Sequence, residues 1–159
     1  MKIGIVVHTS SGHTLTFARA VESKLKSRGH QVDVLGLRTI GAVTPGSRSK
    51  FELKSPPELD EYDLVMVGGP VWAFKASPVI MKFLAQVKSL KGKKALSFVT
   101  MGLPFKFTGG ERAIRMMNEE LEASGADVLS GEMLHYMFKT DQKKLEEAVE
   151  RICSAVENN

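Results

Sequence analysis

The residue types best suited to chemistry gather first near the start of the chain, in His8-Thr9-Ser10-Ser11-Gly12-His13-Thr14. This stretch offers four hydroxyls, two imidazoles, one glycine and no carboxylate, and a helical pattern follows at once. Neutral donors at a helix start can hold a phosphate dianion, because the free backbone N–H groups and the helix dipole both favour negative charge there. The Gly-Lys-Ser/Thr ending of the nucleoside-triphosphate loop is missing, and a single glycine cannot make the dinucleotide signature G-x-G-x-x-G. An ordinary Ser/Thr helix cap uses the same residue types. The loop alone does not choose between the two.

Two further stretches carry the chain's aromatic chemistry. One runs Gly69-Pro70-Val71-Trp72-Ala73-Phe74-Lys75, with the only tryptophan of the sequence; the other spans Thr100–Gly110 and includes Met101, Gly102, Leu103, Phe105 and Phe107. Amphipathic aromatics at half-exposed positions suit a flat ring ligand, although an aromatic capping a sheet would read the same way. His8 ends a strand pattern and borders the first loop, whereas His30 and His135 stand in no motif and are expected to be structural. No histidine spacing suggests a metal, so no metal site is expected. A Ser-His hydrolase reading of His8 with Ser10 or Ser11 fails for want of a G-x-S-x-G elbow. Cys153 is the only cysteine, which excludes an internal disulfide and suits a reducing cytosol.

Regular elements must position these loops. Lys2–Val7, Gln31–Leu37, Leu64–Gly68, Lys94–Thr100 and Asp127–Leu134 read as five strands, the last interrupted at Ser130-Gly131. Their apolar runs lack alternation, as in a parallel sheet covered on both faces. Helical patterns fill Gly12–Lys26, the segment after Ser77-Pro78, Glu111–Ser124 and the segment after Thr140 or Asp141. Ser77 is a favourable N-cap and Pro78 a favourable first helical residue. Residues Arg38–Pro57, with Pro and Gly but no sustained period, are expected to be mobile or irregular, with a short helix at best, and to mediate contacts rather than core packing. The order of elements predicts one α/β domain over residues 1–159, a doubly wound five-stranded parallel sheet with helices on both faces. In such sheets ligands sit beyond the carboxyl ends of the strands, where all three loops emerge.

The 159 residues carry a net charge of +4, with 43% hydrophobic and 25% charged residues, close to a soluble globular average. Residues Val71 to Arg115 hold seven Lys and two Arg against the single acid Glu111, a net of +8 that leaves −4 elsewhere. Such polarity bears on partners rather than fold. No nucleic-acid motif accompanies it. The apolar start Met1–Val7 is too short for a signal-peptide core and no apolar run reaches membrane-spanning length, so a cytoplasmic location without membrane contact is expected.

The run Ile5 to Thr14, followed by Ala18 and Val21, resembles the phosphate-binding signature of flavodoxins. The resemblance continues through Tyr62–Trp72, Ser77-Pro78, Lys82-Phe83-Leu84, Gly92-Lys93-Lys94 and Thr100-Met101-Gly102. Val7 departs from it, standing where flavodoxins often carry an aromatic residue. The resemblance implies strand order 2-1-3-4-5 and a bound FMN. It implies that Thr9, Ser10, Ser11, Gly12, His13 and Thr14 hold the 5′-phosphate. Pro70, Val71, Trp72, Ala73, Phe74 and Lys75 would flank the isoalloxazine. Thr100, Met101, Gly102, Leu103 and Phe105 would meet its pyrimidine edge. The implied function is electron carriage between redox partners, with an acidic protein suited to the basic window. The alternative is an NAD(P)H-dependent FMN reductase acting on a quinone or other small acceptor, which the Pro-Val-Trp form of the second loop resembles.

Overall fold

The computed structural model describes residues 1–46, 50–102, 109–136 and 141–159. The chain runs through β1 (Lys2–Val7), α1 (His13–Ser27), β2 (Gln31–Gly36), β3 (Arg38–Ile40), β4 (Glu52–Lys54), β5 (Leu64–Trp72) and β6 (Lys75–Ala76). It continues with α2 (Pro78–Gln86), β7 (Lys94–Met101), α3 (Gly110–Ala123), β8 (Asp127–Val128), β9 (Glu132–His135) and α4 (Gln142–Glu157). Strand order in the main sheet is β2-β1-β5-β7-β8, with β9 also on β7, and all these pairings are parallel. Counting β8 and β9 as one broken strand, this is the expected order 2-1-3-4-5.

Both faces of the sheet are buried, and the pleat sorts the side chains between them. Ile3, Ile5 and Val7 of β1 and Leu64 and Met66 of β5 pack with Phe17, Val21 and Leu25 of α1 and Leu145 and Ile152 of α4. Val6, Val65 and Val67 point the other way, against Ile80 and Phe83 of α2 and Ala113, Met117 and Leu121 of α3. That two-residue alternation continues one step past β1 and places His8 on the α2/α3 face.

Three expectations change. Strand β5 does not stop at Gly68: Gly69 and Pro70 stay in register with Val99 and Thr100, and the strand runs to Trp72. The expected loop Gly69–Lys75 shrinks to a two-residue turn, Ala73-Phe74, between β5 and the antiparallel β6, where Trp72 pairs with Lys75. The 38–57 segment holds no helix among its described residues. Instead β3 and β4 form an antiparallel ribbon with Thr39 opposite Leu53. Leu53 packs on the α2/α3-side core, and Lys82 of α2 reaches the Phe51 carbonyl and ring. Part of this segment is therefore tied to the core rather than free of it, although Ile40 at its edge is 61% exposed. Strand five breaks between Val128 and Glu132, as the Ser130-Gly131 pair suggested.

Candidate functional site

The carboxyl ends of β1, β5, β7 and β9 open on one rim, and specific bonds hold their loops together there. After β1 the chain bends through Thr9, Ser10 and Ser11 into α1. Thr9 Oγ1 accepts the Gly12 N–H at 3.1 Å, and Gly12 itself sits at φ 88°, a left-handed position that suits glycine. The first helical bond is Thr16 N–H to the Gly12 carbonyl at 2.9 Å. The N–H groups of the first helical turn thus have no partner within the helix. No acidic side chain lies in that turn to compete with an anion. Ser10 and Ser11 are exposed, Thr9 and His13 half-buried, and Thr14 is buried.

Thr14 turns inward. Its Oγ1 lies 2.7 Å from Thr100 Oγ1 at the end of β7, and both side chains are buried. The hydroxyl pair fixes the first turn of α1 to the end of β7. His13 stacks on Tyr136, with ring centroids 3.6 Å apart and planes 16° from parallel. Tyr136, just beyond β9, is a rim residue that no sequence motif marks. Its N–H donates to the Met101 carbonyl at 2.9 Å.

On the other side of the rim stands the Ala73-Phe74 turn. Both residues have positive φ, 48° and 63°. A two-residue hairpin of type I′ needs this at both central positions, and it strains residues that carry a Cβ. Gly109, at φ 96°, makes room for the turn: a Cβ there would lie 2.4 Å from the Phe74 Cα. Trp72 is half-buried, while Phe74 is 57% exposed and Lys75 is exposed. Pro70 is buried and Val71 half-buried, so they build the wall from behind.

His8 braces that wall. Its Nδ1 lies 2.6 Å from Ser77 Oγ, and its ring meets Trp72 edge to face at 5.1 Å. Ser77 Oγ also accepts the Val79 N–H, capping α2 as expected. Burial lowers the His8 pKa to about 4, so its ring is neutral at ordinary pH. His135 is likewise held below the ordinary histidine value, chiefly by burial and then by the Lys144 charge.

The structure thus brings Thr9–Thr14, Pro70–Lys75 and Thr100–Gly102 to one rim. The Met101 side chain is buried against Gly110 and His135, which leaves only its backbone for a ligand. Leu103 and Phe105, with Lys106 and Phe107, lie outside the described residues. Among the described residues no cluster of His, Cys, Asp or Glu could hold a metal ion, and no helix is long and apolar enough to cross a membrane.

No family model and no curated protein matches this chain. Solved structures do. Flavodoxin 2 of Bacillus cereus superposes over the whole of both chains with a TM-score of 0.76 at 19% identity. A flavodoxin from the domain Archaea covers 99% of this chain and 98% of its own at 0.68 and 22% identity. A Fusobacterium nucleatum flavodoxin mutant bound to flavin mononucleotide covers 99% and 96% at 0.66 and 17% identity. The fold is flavodoxin-like.

Proposed function

We propose that this protein binds FMN and carries electrons between redox partners. The observation that carries this reading is the rim itself. A helix start whose first-turn N–H groups have no partner within the helix, with exposed hydroxyls and no carboxylate, stands beside a hairpin that presents the single indole. A phosphate and a flat aromatic ring on one ligand answer that donor set. Ser10, Ser11, Thr9 and the backbone of Gly12–Thr14 would hold the phosphate. The Pro70–Lys75 hairpin, with Trp72 foremost, would flank the ring, and the backbone of Thr100–Gly102 would meet its polar edge.

When bound, FMN supplies the electron-transfer chemistry; the chain binds it, orients it and sets the charge around it. The exposed Lys75 is the described cation nearest the turn in sequence, and no acid occurs between Val71 and Gly110. A redox partner with an acidic face fits that surface, and its association rate falls as salt rises. The same cation favours a second reading, a reductase that takes electrons from a phosphorylated nicotinamide. Anaerobic mixing of the FMN-loaded protein with NADH and NADPH separates the two. A carrier stays oxidised over many seconds with both, whereas bleaching within a turnover time by either nucleotide establishes the reductase.

A further inference from the structure

We propose that His8 is a positioning residue of the cofactor site, holding the Trp72 indole in place from the end of β1 through its contact with Ser77. The inference rests on the FMN reading only for what Trp72 is held against. The geometry stands by itself.

Position eight continues the buried alternation of β1 on the α2/α3 face, where Val6 is its predecessor. An aliphatic side chain would satisfy packing there at no desolvation cost. The chain instead buries an imidazole that is 8% exposed, which is tolerable only if its polar atoms find partners. Three attachments fix it. Its backbone N–H donates to the Gly68 carbonyl of β5 at 3.0 Å. Its Nδ1 meets Ser77 Oγ at 2.6 Å. Its ring edge stands against Trp72 with the planes at 83°.

Ser77 Oγ already accepts from the Val79 N–H. The oxygen keeps its own O–H and a second lone pair, so it can bond Nδ1 in either neutral tautomer of the ring. The depressed pKa of His8 agrees with a neutral ring. One side chain thus ties together the residue before the phosphate loop, the cap of α2 and the last residue of β5. Trp72 is half-buried and adjoins a turn of two residues with positive φ.

Trp72 is the only tryptophan, so its fluorescence reports this contact without any cofactor. His8→Phe keeps an aromatic edge but loses the Ser77 bond; Ser77→Ala loses that bond and the Val79 cap bond with it; Ser77→Thr keeps a hydroxyl for both. In the cofactor-free protein, His8→Phe and Ser77→Ala are expected to lower Trp72 anisotropy and raise its quenching by acrylamide, with Ser77→Thr close to wild type. FMN affinity falls about tenfold in each of the first two variants, and the double variant is no weaker than either. Unchanged Trp72 anisotropy and quenching in Ser77→Ala, or independent losses that multiply in the double variant, would overturn the proposal. If His8→Phe fails to fold, the Ser77 pair decides alone. A wild type that takes up no FMN overturns the cofactor reading instead, and the Trp72 measurement still decides the role of His8.

Discussion

Thr14 and Thr100, 86 residues apart, share a buried hydroxyl contact of 2.7 Å that ties the first turn of α1 to the end of β7. Neither side chain has water to fall back on, at 2% and 1% exposure. Thr14→Val keeps the shape and orphans the Thr100 hydroxyl, at a cost of about 1–3 kcal/mol. Thr14→Ser retains the bond and loses only a methyl group. Urea unfolding of the two variants checks this; equal stabilities would mean the hydroxyl pair contributes nothing.

The hairpin at the rim stores backbone strain that glycine would release. Ala73→Gly removes a Cβ from a residue at φ 48°. It is expected to leave stability unchanged or raise it by about 1 kcal/mol, since relief of strain outweighs the added chain entropy. Gly109→Ala does the reverse, placing a methyl 2.4 Å from the Phe74 Cα at φ 96°. It costs about 2–5 kcal/mol. Thermal melts that rank these two variants the other way would refute this account of the turn.

His8 makes stability depend on pH in a known direction. Its folded pKa of about 4 lies below the ordinary value of 6.5, so between those limits the unfolded chain binds the extra proton. Stability is full above pH 6.5 and is lost as pH falls toward 4, by on the order of 2 kcal/mol after allowing for partial solvent access. His135 contributes in the same sense. His8→Phe removes its share, so the difference between variant and wild type narrows or reverses toward pH 4. A difference that stays constant across this range contradicts the assignment.

On the FMN reading, Lys75 would bear on redox poise. An exposed lysine adjoins the turn, and no acid occurs between Val71 and Gly110. A unit charge ~8–10 Å from the ring is worth up to about 2 kcal/mol at an effective dielectric of ~20, before salt screening. Lys75→Glu reverses that charge and is expected to lower the midpoint potential by tens of millivolts at low ionic strength, less at high salt. No shift toward more negative potential would show that Lys75 does not act on the ring.

Much of this was legible because local rules govern it. The strand-to-helix step at His8–Thr14, the Ser77-Pro78 cap and the break at Ser130-Gly131 each rest on residues a few positions apart. The β5–β6 hairpin was not legible: Gly69 and Pro70 read as punctuation, yet pairing with Val99 and Thr100 keeps them in the strand. Its Ala-Phe turn lacks the Asn or Gly that normally marks positive φ, and only Gly109, far along the chain, explains how it fits. The β3–β4 ribbon has three residues a side, too few for a period to emerge. Tyr136 joins the rim through stacking on His13, a tertiary contact without a sequence signature. The burial of His8 against Ser77 and Trp72 was nearly legible, since alternation from Val6 already assigns its face.

The central claim is that one ligand with a phosphate and a flavin ring fills this rim. Calorimetric titration of the cofactor-free protein with FMN and with riboflavin tests it most directly, in wild type and in Ser10→Ala/Ser11→Ala. Two charge-assisted bonds at ~1.5–3 kcal/mol each are worth about 3–6 kcal/mol. Wild type should therefore bind FMN at least about a hundredfold more tightly than riboflavin. The double variant should lose most of that preference while melting like wild type, because both serines are exposed. Equal affinity for the two flavins, or FMN binding unaffected by loss of both hydroxyls, would contradict the phosphate assignment, and no binding of either flavin would contradict the account as a whole.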